Sequence, residues 1–139
     1  MKIVSIAILG LLLAACGTPG TERPVVMVEA RTDTDGVQRI EVGMHSYYFE
    51  PSRIVVEARK PVELILRNHT HFVRHSFTIT HEALSVHESK WGWGTDRIRF
   101  TPTEPGEYRF YCHHGDHEAN GMVGTLVVVS EGVYPPLIR

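Results

Sequence analysis

From Val25 onward the chain is a succession of short runs rich in Val, Ile, Phe and Tyr, each closed by turn-forming residues. Such runs suit strands, and several at this spacing point to two packed sheets, not to a helical domain. Residues 25–31 and 37–42 flank Asp35-Gly36, a hairpin signal. Residues 53–58 and 62–67 are split by Arg59-Lys60-Pro61, and in 75–80 Ser76, Thr78 and Thr80 alternate with Phe77 and Ile79. Residues 97–100, 107–111 and 123–129 complete eight expected strands, read as an antiparallel sandwich. Residues 81–90 lack alternation and read as a loop or helical turn. Trp91 and Trp93 follow among glycines and are expected to cap one end of the core, the alternative being an exposed aromatic patch.

The N-terminus sets an address. Met1-Lys2 gives a basic start, residues 3–13 are apolar, and Leu13-Ala14-Ala15-Cys16 follows. That is the layout of a signal peptide with small residues at its cut site, and the apolar run is well short of the roughly 20 residues a spanning helix needs. The tetrapeptide ending at Cys16 resembles the lipobox of bacterial lipoproteins. The resemblance implies cleavage before Cys16 and a lipid on its sulfur, which anchors the protein to a membrane of the cell envelope. Gly17 resembles the outer-membrane sorting pattern, where there are two membranes. The expected division is a signal peptide at 1–15, a lipidated tether at 16–24, a single folded domain at 25–131 and a C-terminal tail at 132–139.

Once Cys16 is lipidated, Cys112 is the single cysteine left, in a compartment that oxidises free thiols. A lone thiol there is a liability unless it is buried, paired with another chain, or bonded to a metal. Removal of Lys2 with the signal peptide leaves 13 of the 14 basic residues against 16 acidic ones, a net charge of −3 with histidine neutral. No basic patch suggests nucleic acid. All nine histidines lie between His45 and His117.

The segment from Tyr111 to Met122, between the last two expected strands, carries Cys112, His117 and Met122. A thiolate, an imidazole and a thioether on one loop can converge on a metal, and two soft sulfurs beside nitrogen suit copper in both of its oxidation states. Two imidazoles and a thiolate in a trigonal set, with a long axial methionine, form an electron-transfer arrangement. The second imidazole has to come from elsewhere. His75, at the start of a strand, is the best candidate, with His69 and His71 in the same loop as its competitors.

Here the chain resembles the cupredoxin superfamily, of the plastocyanin and azurin type. The matching pieces are Tyr48-Phe49-Glu50-Pro51-Ser52, Pro61 to Asn68, His75-Ser76-Phe77, Thr103 to Cys112, and Gly121 to Val128. The resemblance implies an all-β Greek-key sandwich of about eight strands. It makes His75 and His117 the imidazole ligands of one copper ion, Cys112 the thiolate and Met122 the weak axial thioether. It also makes Asn68 a residue that fixes the loop around the thiolate. Two positions depart from the family pattern. Gly115-Asp116-His117 replaces the usual Pro-Gly-His, so that Gly115 stands one residue early and Asp116 brings a carboxylate towards the metal. Arg59 stands where relatives commonly carry glycine.

His69, His71, His113 and His114 exceed what one such site uses and are candidates for an accessory metal, while His45, His81 and His87 read as surface residues. The chain is too short to build an oxygen-reducing copper cluster alone. The expected function is one-electron transfer by Cu(I)/Cu(II) cycling, without enzymatic activity, in a monomer that meets redox partners or copper-handling proteins. The rival is copper delivery or buffering without a respiratory role.

Overall fold

The computed structural model describes residues 23–133, and the expected signal peptide, the lipidated Cys16 and most of the C-terminal tail lie outside them. The strands are β1 (Met27–Glu29), β2 (Arg31–Thr32), β3 (Gln38–His45), β4 (Tyr48–Glu50), β5 (Arg53–Glu57), β6 (Val62–Asn68), β7 (Arg74–His81), β8 (Leu84–Trp91), β9 (Gly94–Phe100), β10 (Gly106–Tyr111) and β11 (Val123–Val129). They form a six-stranded sheet in the order β1-β5-β11-β10-β7-β8, and a second sheet in the order β2-β3-β6-β9 with β4 paired to β3. The fold is an all-β sandwich, as expected.

Pairing is mixed, which corrects the antiparallel reading. β1 and β11 both run parallel to β5, and β3 runs parallel to β6. The reason lies in the crossings between sheets. β5 belongs to one sheet and β6 to the other, so Arg59-Lys60-Pro61 bridges the sandwich and does not close a hairpin. Arg59 takes φ +63, a left-handed angle that glycine adopts more readily, and its N–H donates to the Pro102 carbonyl at 2.7 Å. The single run expected at 25–31 is likewise divided. β1 joins the first sheet and β2 the second, with the Ala30 N–H donating to the Val55 carbonyl at 2.9 Å.

Residues 84–91 form a strand where a loop or helical turn was expected. β8 pairs with β7 along its whole length but lies at the edge of its sheet, and only Leu84 and Val86 in it are buried. Charged and polar side chains on such an edge discourage pairing with other chains, and they also hide the alternation by which a strand is recognised.

Between the sheets the core gathers Val42, Met44, Ile54, Leu64, Leu66, Ile79 and Leu126, all essentially inaccessible to water. Each side chain of this size contributes roughly 1.5–3 kcal/mol by burial. Phe49, Phe77 and Phe110 form an aromatic trio with ring centroids 4.6 to 6.0 Å apart, tying β4 of one sheet to β7 and β10 of the other. Gly124 makes this trio fit, because a Cβ there would come within 2.2 Å of the Phe110 ring and 2.5 Å of the Ser52 carbonyl oxygen. In the second sheet Glu63, nearly buried, accepts hydrogen bonds from Arg39, Arg97 and Arg99 at 2.8 to 3.3 Å. Arg99 first and then Arg39 hold its carboxyl below the usual range.

Candidate metal centre

Strand alternation divides β7 between two faces. His75, Phe77 and Ile79 point into the sandwich, while Ser76 and Thr78 point away from it towards the side chains of His113 and His87. The same alternation carries past the end of β10, so Cys112 is buried and the next residue, His113, is exposed. Two neighbouring strands thereby deliver an imidazole and a thiol to one end of the core.

His117 completes the group. The donor atoms of His75, Cys112 and His117 all lie within 4.8 Å of one another, and Cys112 Sγ is 3.3 Å from His117 Nδ1. The loop between β10 and β11 is shaped by its own backbone. The His117 N–H donates to the His114 carbonyl at 3.1 Å, the Met122 N–H to the His117 carbonyl at 2.9 Å, and the Cys112 N–H to the Met122 carbonyl at 3.1 Å. Gly115 and Gly121 supply the left-handed angles, φ +47 and +96, that this winding needs. Met122 is fully buried at the end of the loop.

Both ring nitrogens of His75 are buried without a hydrogen-bond partner. A buried polar group left in that state costs about 1–3 kcal/mol, so the site is destabilising unless something occupies it. Burial, followed by the nearby charges of His117, His114 and His45, pushes the His75 pKa down to about 4. His117 is also shifted down, chiefly by burial, against an opposing effect of Asp116. Neutral imidazoles at physiological pH are the form that binds a metal.

The remaining residues singled out in the sequence do different things. Asn68 holds the loop before His75: its amide donates to the carbonyls of Val73 at 3.0 Å and Lys90 at 3.2 Å, and its oxygen accepts from the N–H and hydroxyl of Thr70. Its hydrogen bonds do not reach the Cys112 loop; the N–H that touches the sulfur is that of Ser76, at 3.3 Å. Asp116 is exposed and its carboxylate lies outside the donor group, while its carbonyl caps the turn by accepting two bonds from Asn120 at 2.9 Å. His69 and His71 flank Trp93, edge-on at 5.5 Å and stacked at 5.2 Å respectively, and His69 also stacks on His45 with planes 2° apart. Parallel rings aim their in-plane lone pairs side by side, not at one point. Trp91, the last residue of β8, and Trp93 are about 60% exposed and do not cap the core; the chain turns between them at Gly92, φ +65.

Two residues at the centre carried no signal of their own in the sequence. Ser76 was legible only as the neighbour of His75, yet its N–H reaches the sulfur and its hydroxyl accepts the His113 N–H at 3.0 Å. Tyr47 meets the His117 ring edge-on, with centroids 5.0 Å apart, across a distance in sequence that no local pattern spans.

A family model described as a cupredoxin-like domain matches residues 6–128. The chain belongs to this family. No curated protein matches it by sequence. Auracyanin A, a blue copper protein of Chloroflexus aurantiacus, superposes on this cupredoxin-like chain with TM-score 0.60 and 18% identity, covering 68% of this chain and 100% of that one. The metal-binding domain, with Cu(I), of the Streptococcus pneumoniae D39 Cu(I)-exporting P-type ATPase CopA superposes with TM-score 0.60 and 22% identity, covering 78% and 100%. The copper-containing nitrite reductase of Thermus scotoductus SA-01 superposes with TM-score 0.54 and 22% identity, covering 80% of this chain but 28% of that one. At these identities the likenesses establish the fold. The cofactor of this cupredoxin-like chain is one copper ion, and the His75, Cys112 and His117 group is the site present for it. The donors fit: a soft thiolate with two imidazoles, one of them with both nitrogens unengaged.

Proposed function

We propose that this chain is a blue copper protein that carries single electrons at the surface of a cell-envelope membrane, held there by a lipid on Cys16. The observation that carries this reading is the convergence of buried His75 and Cys112 with partly buried His117, both ring nitrogens of His75 having no hydrogen-bond partner. Copper, when bound, supplies a one-electron couple between Cu(I) and Cu(II).

Everything else in the reading concerns the chain's own residues. His75 stands on β7 and Cys112 directly follows β10, its neighbour in the sheet, so the donor geometry is set by a packed core and changes little between states. The Ser76 N–H donates to the sulfur and tempers its negative charge. Met122, buried at the end of the loop, is the proposed axial donor. His117 is only partly buried and sits against Tyr47, itself 44% exposed, which offers an edge for electrons to enter and leave. Its partners are redox proteins of the same membrane, met by a monomer, with no role for nucleic acid. With Met122 as fourth donor the set would leave no position for a substrate, which favours a carrier over an enzyme, and the nitrite reductase that shares the fold is much the longer chain.

Copper delivery is the second reading, favoured by the likeness to the metal-binding domain of a Cu(I) exporter. The visible absorption and electron paramagnetic resonance spectra of the Cu(II)-loaded protein test the first. Strong thiolate charge-transfer absorption with a narrow hyperfine splitting is expected, and Cys112→Ser should abolish both. A reversible couple with slow metal exchange would dispose of delivery, whereas rapid transfer of copper to an acceptor would dispose of the carrier.

A further inference from the structure

We propose a second metal site on the outer face of the six-stranded sheet, built from His87, His113 and His114 and suited to Cu(II). It is separate from the buried centre, since strand alternation sends Cys112 inward and His113 outward. His87, read from the sequence as a surface residue, stands opposite Thr78 on the edge strand β8 and brings its ring to 4.8 Å from that of His113, tilted by 46°. His113 and His114 lie 4.1 Å apart, tilted by 41°. Tilted rings, unlike the parallel His45 and His69 pair, can turn their in-plane lone pairs towards a common point.

The hydrogen bonds prepare the rings for this use. His87 Nδ1 lies 3.0 Å from Thr78 Oγ1, His113 Nδ1 lies 2.9 Å from Ser76 Oγ, and His114 Nε2 lies 2.9 Å from Ser89 Oγ. Each ring therefore has one nitrogen engaged by a hydroxyl and the other without a hydrogen-bond partner among the described residues. A hydroxyl accepts as readily as it donates, so each can hold its imidazole in the tautomer that leaves the far nitrogen free, as outer partners of metal-bound histidines do. Among the described residues only the buried group already brings its donor atoms within 4.8 Å of one another. The outer site accordingly closes by rotation of the exposed His87 and His113 rings, and binds more weakly than the inner one because it must order them. Three imidazoles with water as the remaining ligand suit a tetragonal Cu(II) ion, the tightest-binding divalent metal of its row for nitrogen donors.

The test uses the full chain already carrying one equivalent of copper, titrated with Cu(II) and read by electron paramagnetic resonance. A second species is expected, with a wide hyperfine splitting and no thiolate absorption. His87→Ala should weaken it at least tenfold, Ser89→Ala by about tenfold, and His81→Ala not at all. Thermal unfolding of each variant verifies that the fold survives. Failure of the second equivalent to bind overturns the proposal, as does binding to His87→Ala as tight as to the parent, or an equal loss in His81→Ala. If the first equivalent shows no thiolate band while a tetragonal signal depends on His87, the outer site stands and the electron-carrier reading falls.

Discussion

The two faces of the sheet edge around β7 treat histidine in opposite ways. Inside, His75 is wholly removed from water and neither nitrogen has a partner. Outside, His87, His113 and His114 are each met by a hydroxyl from β7 or β8. The strand thus carries the means to satisfy an imidazole, in Ser76 and Thr78, and turns them away from the one that is buried. Stability alone would not select that arrangement; a metal that needs a free nitrogen of His75 does. The inner site is ordered and strained by need, whereas the outer one is satisfied and adaptable.

The comparison is broken most severely at the inner donors. His75→Ala should weaken copper binding on the order of a thousandfold or more, about 4 kcal/mol, in competition with a chelator. His87→Ala should leave the first equivalent's affinity and thiolate absorption unchanged. Equal losses would mean that the two faces form one site.

Acid gives the next largest effect, in the copper-free protein. His75 titrates near 4 when folded, well below the value of 6.5 expected for the unfolded chain. Between these limits the unfolded chain binds the additional proton, so folding stability is intact above about pH 6.5, falls as pH drops, and has lost the whole contribution below about 4. At about 1.4 kcal/mol per unit the upper bound for His75 is about 3.5 kcal/mol. His45, His113, His114 and His117 are shifted the same way, chiefly by burial, and add to the slope. Carboxylates such as Glu63, held down by arginine, lose their contribution only at lower pH. Urea unfolding across this range should show the slope, and His75→Leu should remove the larger part of it.

At neutral pH His75→Leu probes the unmet hydrogen bonds directly. Replacing an unpartnered buried imidazole by an apolar side chain should stabilise the copper-free protein by about 1–3 kcal/mol, seen as a higher melting temperature. The variant should then gain nothing from added copper at the inner site. A lower melting temperature would show that His75 is satisfied by something other than a metal, and would remove the contrast between the faces.

These effects were unequally legible in the chain. The centre could be read because its chemistry is local: Cys112 and His117 share one loop, and His75 is marked by its strand. The sandwich could be read from its buried strands, where alternation or unbroken apolar runs survive. What escaped detection was set by partners distant in sequence. β8 looks irregular because an edge strand needs only Leu84 and Val86 to face the core. The parallel pairings follow from crossings between sheets, which no run of residues announces. Trp91 and Trp93 have a composition suited to burial, yet they stand exposed on either side of the turn at Gly92. The role of His87 depends on its register opposite Thr78, a property of the paired strands and not of either alone.

The smallest expected effect comes from the outer face. Thr78→Val keeps the shape of the side chain and removes the hydroxyl that meets His87. Because His87 is exposed, water can take the hydroxyl's place at Nδ1, and the loss should be about 0.5–1 kcal/mol by urea unfolding. Binding of the first copper equivalent should not change. The sign matters more than the size: removing a polar group outside should destabilise slightly, and removing one inside should stabilise. If both substitutions shift stability in the same direction, the free nitrogens of His75 carry no penalty, and the physical argument for a ligand between the sheets is lost.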